Sequence, residues 1–267
     1  MTYQPQKAIE NQPLDQLPAP MAVACLGRIL LSIQDGPMRT TYLKDRLLPQ
    51  TPQVMVRILA CAHRESALGN HQAACLLEVA IDLLVRTGEH ESVREEFLAS
   101  TLELCEHGVW AIFQRNDEDD LRWVEAEKLL LNPPKGSLAE KGETLGRRKS
   151  LARTAQGDLL DRLLMDPHQD VIQNVLQNPR VDEDKVVRLC ARRPVHPGVL
   201  EVVALSKFRT RPAVRRSIVY NPACPTPLAC WLMTGMTRAD LKGVVHNETL
   251  VMGVRDAARQ LLIQKQL

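Results

Sequence analysis

Five basic residues have the most chemically pointed spacing in this 267-residue chain. Lys185, Arg188 and Arg192 fall at i, i+3 and i+7, which on a helix sets them along one side. Arg211 and Arg215 stand one turn apart on what reads as the matching helix of a second copy of the same pattern. A guanidinium is a planar fork that holds a carboxylate or phosphate through two parallel bonds and stays charged at any working pH. Stacked helices of this kind would present a ridge able to meet a nucleic-acid backbone or an acidic protein face. The competing reading is solvated surface arginine, paired locally with Asp182, Asp184 and Glu201.

Other reactive residue types lack the arrangement that chemistry needs. There is no Gly-x-Ser-x-Gly elbow, Walker loop, His-Glu-x-x-His pair or dinucleotide-binding glycine pattern. His63, His71, His90, His107, His168, His196 and His246 are scattered, and no two share the i, i+4 spacing of paired metal ligands. They read as surface or capping residues. The acidic run Glu118-Asp119-Asp120 opens a helix, where the macrodipole favours carboxylates by roughly 0.3–1 kcal/mol each. Cys25, Cys61, Cys75, Cys105 and Cys190 sit inside apolar helical patterns and read as buried thiols. No Cys-x-x-Cys pair occurs, and Cys224 and Cys230 lie six apart across a Pro-rich turn. Neither a metal nor a cofactor is expected. Arg147-Arg148-Lys149-Ser150 reads as a solvated linker, with phosphorylation or anion docking as the alternative.

The elements that must carry the basic residues come from a sequence that copies itself. Val171, Val175, Leu176, Asn178, Pro179, Val181, Val186 and Leu189 recur 43 residues later as Val214, Ile218, Val219, Asn221, Pro222, Cys224, Ala229 and Leu232. Each copy is an apolar helical face, an Asn-Pro stop, a short linker and a second apolar face. A helix pair that cannot bury its stripe alone must stack on its neighbour. The spacing makes Val171–Asn178 and Val214–Asn221 equivalent helices, with Val175 and Ile218 in the core. Leu241, Val244 and Val245 echo Val199, Val202 and Val203, and a helix over 251–264 closes the stack.

The rest of the chain also reads as helix. Few Phe, Tyr and Trp residues among abundant Leu, Val and Ala favour helix-on-helix packing. Residues 1–20 read as a disordered lead-in and 21–132 as a helical bundle or diverged solenoid. In that region the Asp35-Gly36-Pro37 turn closes the first helix, and Thr51-Pro52 starts a later one. Residues 133–156, which follow Asn132 and open on Pro133-Pro134, read as a polar linker and domain boundary, and 157–267 as α-solenoid repeats with a capping helix. The start of the chain lacks a signal peptide's apolar core, and no apolar run reaches the roughly 18 residues of a membrane span. A cytoplasmic location is expected.

The run Asp166-Pro167-His168-Gln169-Asp170-Val171, then Val175, Asn178-Pro179 and Leu189-Cys190-Ala191, resembles the pattern of HEAT-like and leucine-rich-repeat-variant bacterial solenoids. The second copy departs where Arg209-Thr210-Arg211-Pro212 replaces the Asp-Pro turn. The resemblance covers about residues 158–262. It implies an all-α repeat of short helix pairs and, for most such proteins, binding of a partner rather than catalysis. Some variant-repeat proteins are associated with an iron–sulfur cluster, but the clustered cysteines for it are missing. None of the active-site residues of HEAT-like DNA glycosylases can be matched. Residues 1–132 hold 12 Lys/Arg against 19 Asp/Glu, and 133–267 hold 22 against 13, so a near-neutral chain joins an acidic half to a basic one. The expected role is a non-enzymatic adaptor or scaffold for a protein partner. Nucleic-acid binding through the basic half is the alternative, and the oligomeric state is left open.

Overall fold

The computed structural model describes residues 12–114 and 117–264, which are all-α, with no strand among them. The chain divides into two compact units, residues 1–115 and 116–267. The lead-in expected over 1–20 lies outside the described residues as far as residue 11. Beyond it that expectation is corrected. Leu14 and Leu17 are buried, and among the described residues a helix already starts at Ala19.

The first unit contains α1 (Ala19–Ser32), α2 (Gly36–Leu47), α3 (Pro52–Ala67), α4 (His71–Ile81, continued by a π-helical turn over Asp82–Arg86), α5 (Glu91–Glu103) and α6 (His107–Phe113). Asp35 does more than close a turn. Its carboxylate accepts the Met38 N–H at 2.9 Å and caps α2, whose first turn tolerates Pro37 because no N–H is needed there. Helix α1 packs on α4 and α3. A Cβ on Gly27 would stand 2.5 Å from the Gln72 carbonyl oxygen, so this approach requires glycine. Leu26, Ile58, Leu59, Leu76 and Leu77 fill the space between these helices, and Phe97 meets Phe113 edge to face at 5.2 Å. Cys25, Cys61 and Cys75 are buried, but Cys105 is exposed. It sits past the end of α5 with φ +57°, the left-handed conformation that stops a helix, and so leaves the apolar stripe.

The second unit opens with α7 (Asp117–Leu131). Three triplets follow: α8 (Leu145–Ala152), α9 (Asp158–Leu163) and α10 (Gln169–Leu176); α11 (Glu183–Ala191), α12 (Pro197–Leu205) and α13 (Pro212–Val219); α14 (Thr226–Met233), α15 (Arg238–His246) and α16 (Met252–Gln264). In each triplet the first helix packs on the third, and α10 also packs on α12 of the next. The 43-residue offset is therefore the period of three helices rather than of a pair. The first triplet begins inside 133–156, the stretch expected to be a linker. Helix α8 escapes a reading by apolar periodicity because it buries only Arg148 and Ala152.

Two asparagines tie the triplets internally, in the same way. Asn178 follows α10 and is fully buried. Its Nδ2 donates to the carbonyls of Ala152 (3.0 Å) and Ala155 (2.9 Å) at the end of α8, and its Oδ1 accepts from Arg180 N at 3.0 Å. Asn221 follows α13. Its Nδ2 donates to Cys190 (2.7 Å) and Arg192 (2.9 Å) at the end of α11, and its Oδ1 accepts from Ala223 N at 2.9 Å. The last carbonyls of a helix have no partner within it, so each bracket supplies donors where they are needed. Val175 and Ile218 are fully buried in the helices that lead to the brackets. Ile218→Ala is expected to cost about 2–4 kcal/mol through lost transfer energy and a residual cavity, read as a lower thermal midpoint.

Candidate functional site

The five basic residues share no single environment. Lys185 is tied to the cap of its own helix: its Nζ lies 2.8 Å from Asp182 Oδ2, and its N–H donates to Asp182 Oδ1 at 2.8 Å. These bonds, the side-chain one first, hold the Asp182 carboxyl below its ordinary range. Arg188 is exposed, with Nε donating to the Asp184 carbonyl at 3.4 Å. Arg211 is exposed, with Nε 3.7 Å from Glu183 Oε2. Of the carboxylates weighed in the competing reading, Asp182 pairs with Lys185, while Arg211 pairs instead with Glu183.

Arg192 and Arg215 serve the fold. Arg192 Nη1 and Nη2 donate to the carbonyls of Leu164 and Met165, the latter at 3.0 Å, where α9 ends. Arg215 Nη1 donates to the Gly235 carbonyl just past α14. Cations at helix C-termini meet both unsatisfied carbonyls and the negative end of the dipole. Burial lowers both guanidinium pKa values, and for Arg192 the Asp166 carboxylate opposes that effect. Reversing these two to Glu therefore cannot be a purely surface change. Each reversal is expected to cost about 1–3 kcal/mol, since it sets an acceptor against carbonyl oxygens. An unchanged thermal midpoint for the double variant would show that these bonds hold nothing.

The run Arg147-Arg148-Lys149 is likewise corrected from solvated linker to helix α8. Arg148 is buried against Asp166, Lys149 Nζ lies 2.9 Å from Asp170 Oδ2, and Arg147 Nε lies 3.3 Å from Glu143 Oε2. The acidic run has a use that the sequence did not show. Asp119 accepts from Thr226 N (2.9 Å), Thr226 Oγ1 (3.2 Å) and Arg122 Nη1 (3.0 Å). At the N-cap of α14 stands Pro225, which has no capping side chain, and Asp119 supplies the carboxylate from α7. His168 and His196 are caps as read, accepting from Asp170 N (3.2 Å) and Gly198 N (3.1 Å).

Burial, the leading cause in each case, shapes the titratable groups as well. It pushes the Cys190 and Cys230 thiols up to about 12 and raises Cys224 well above its ordinary value, which keeps them protonated and poorly nucleophilic at neutral pH. It lowers His63 to about 4. It raises Glu78 in α4 to about 7, with Asp82 adding to the rise and Arg86 and Arg39 opposing it. Because the folded value exceeds the ordinary one, the proton is held more tightly in the folded state. The stability it confers is present below about pH 4.5 and is lost as pH rises through about 7. Partial exposure screens the effect, so the swing is about 1–3 kcal/mol. Urea midpoints between pH 4 and 8 would show this slope for the native chain and its loss in Glu78→Gln.

Two grooves open in the second unit. One of about 410 Å³ runs between α10 and α12 and is lined by Gln173, Leu176, Gln177, Val202, Leu205, Ser206 and Lys207. The other, of about 440 Å³, lies between α7 and the loops after α11 and α13, with Arg122, Glu125, Leu129, Arg193, Pro194 and Pro222 among its lining. Among the described residues no group of three or more His, Cys, Asp or Glu could hold a metal ion. Compared with known proteins, the chain matches no family model, no curated protein and no solved structure. The site must be read from its own residues. Gln173 and Gln177 carried no signal in the sequence, because a neutral amide on an exposed helical face looks like any solvated side chain. Pairing them four apart with an apolar 202/205 pair would have been the clue.

Proposed function

We propose that the chain is a non-enzymatic adaptor or scaffold that binds a protein partner through the surface of a helical-repeat solenoid, of the HEAT-like or leucine-rich-repeat-variant kind, in the cytoplasm. The observation that carries this reading is a pair of open grooves, one at a seam between triplets and one between α7 and the triplet loops. The buried polar groups are committed to the fold: Asn178 and Asn221 hold helix ends, and Arg148 with Asp166 holds α8 to the α9–α10 turn. Grooves of several hundred cubic ångströms with mixed lining suit short segments of a partner. No described helix is long and apolar enough to cross a membrane.

A second reading, binding of duplex nucleic acid, has one observation in its favour. The second unit holds 24 Lys/Arg against 19 Asp/Glu, and Arg180, Arg188 and Arg193 are exposed. The first unit holds 10 against 13, so dividing at residue 115 rather than 132 moves the acidic run onto the basic side and weakens the contrast. The test is capture on the full chain from the native cell with and without nuclease, followed by binding of the purified captured protein across a salt series. A protein that survives nuclease and binds directly with shallow salt dependence supports the adaptor. Captured nucleic acid whose log affinity falls steeply with log salt, as phosphate contacts demand, overturns it in favour of the second reading.

A further inference from the structure

We propose that the groove between α10 and α12 is the docking site for a short linear segment of the partner protein, one that sets an aliphatic side chain beside a carboxylate. This deepens the adaptor reading and rests on it for the class of partner. Leu176, Val202 and Leu205 make an apolar trough. Gln173 on α10 and Gln177 at its C-cap, exposed and one turn apart, border that trough with amides that can donate to and accept from a peptide backbone. Among the described residues that line the groove, Lys207 alone carries a charge. Its ammonium sits over the Phe208 ring, 5.1 Å from the centroid, which holds it at the rim without neutralising it. Carboxylate is the complement to that lining.

The next copy of the repeat fills the same two positions with side chains that bridge the helices. One period on, Gln173 and Gln177 become Arg216 and Tyr220. There Tyr220 Oη donates to the Asp240 carbonyl at 3.0 Å, and Arg216 Nη1 lies 3.4 Å from Asp240 Oδ1, so the two side chains cross from α13 to α15. Tyr220 lies so close to α15 that a Cβ on Gly243 would stand 2.0 Å from its hydroxyl. The second triplet bridges its seam with an aromatic ring and an ion pair. The first carries two short amides at the same positions and stays open.

The test starts from random short peptides displayed on phage and selected on the full chain. Enriched peptides are expected to carry Leu, Ile or Val next to Asp or Glu. A selected peptide should then bind about tenfold or more weakly to Lys207→Glu, and binding to that variant should return when the peptide's acid is changed to Lys. The double substitution Gln173→Arg, Gln177→Tyr copies the second triplet and should block the peptide without lowering the thermal midpoint. If that variant unfolds, the charge swap at Lys207 decides alone. Failure to enrich any peptide, or equal binding to native chain and Lys207→Glu, overturns the groove. A captured partner protein that binds Lys207→Glu as tightly as the native chain sinks the groove and leaves the adaptor standing. No captured protein and no enriched peptide together sink both.

Discussion

Asp166→Ala is expected to destabilise the chain by about 3–5 kcal/mol, the range for removing one partner of a buried ion pair. The Asp166 side chain is fully buried, and the Arg148 side chain beside it is 11% exposed. One carboxylate oxygen meets the guanidinium, and the other accepts the His168 N–H at 2.9 Å, which shapes the turn between α9 and α10. Truncation would strand a guanidinium whose Nε is already buried without a hydrogen-bond partner among the described residues. The attraction itself need not be large, because both charges gave up hydration to come together. Replacing both by apolar residues, Arg148→Met with Asp166→Ala, should therefore recover a good part of the loss. Urea midpoints of both singles and the double measure this. A cost below about 1 kcal/mol for Asp166→Ala would mean that the pair does not hold α8 to the α9–α10 turn.

That ion pair also marks where the sequence stops being legible. The all-α class, most helices and the equivalence of Val171–Asn178 with Val214–Asn221 follow from apolar spacing and Asn-Pro punctuation, because these signals are local. Helix α8 does not follow, because its hold on the fold is polar. An Arg-Arg-Lys run reads as solvated until Asp166, 18 residues on, is known to be buried beside it. Asp119 is the same case over a longer span, since its partner is Thr226. Arg192 and Arg215 mislead for the opposite reason. Helical spacing set them beside exposed arginines, but each lies at a helix end within reach of the backbone carbonyls of another element. Spacing predicts which face a side chain leaves from, not what it meets after a long flexible stem. The candidate groove combines both blind spots. Its apolar floor was visible as helix core, while the amides and lysine that give it chemistry are ordinary surface residues in any linear reading.

Asn221→Ala is expected to cost about 3–5 kcal/mol, and Asn178→Ala about the same. Each bracket satisfies two carbonyls at a helix end and one N–H two residues on, and a buried polar group left without its partner costs about 1–3 kcal/mol. Three such groups lose their partner at Asn221, namely Cys190 O, Arg192 O and Ala223 N, partly offset as the loop relaxes and admits water. Asn→Asp tests which atoms matter. It keeps the Oδ1 acceptor but sets a second oxygen against two carbonyls, so it should cost at least as much as alanine despite the unchanged shape. Because each bracket ties the first helix of its own triplet to the third, damage should spread mainly to the neighbouring triplet, and the double variant should lose at least the sum of the singles. Denaturation midpoints of the Ala and Asp variants at both positions decide the matter. Tolerance of Asp at Asn221 would show that the Nδ2 donors contribute little. A large cost at one bracket and none at the other would mean that the two copies share a sequence pattern without sharing its energetics.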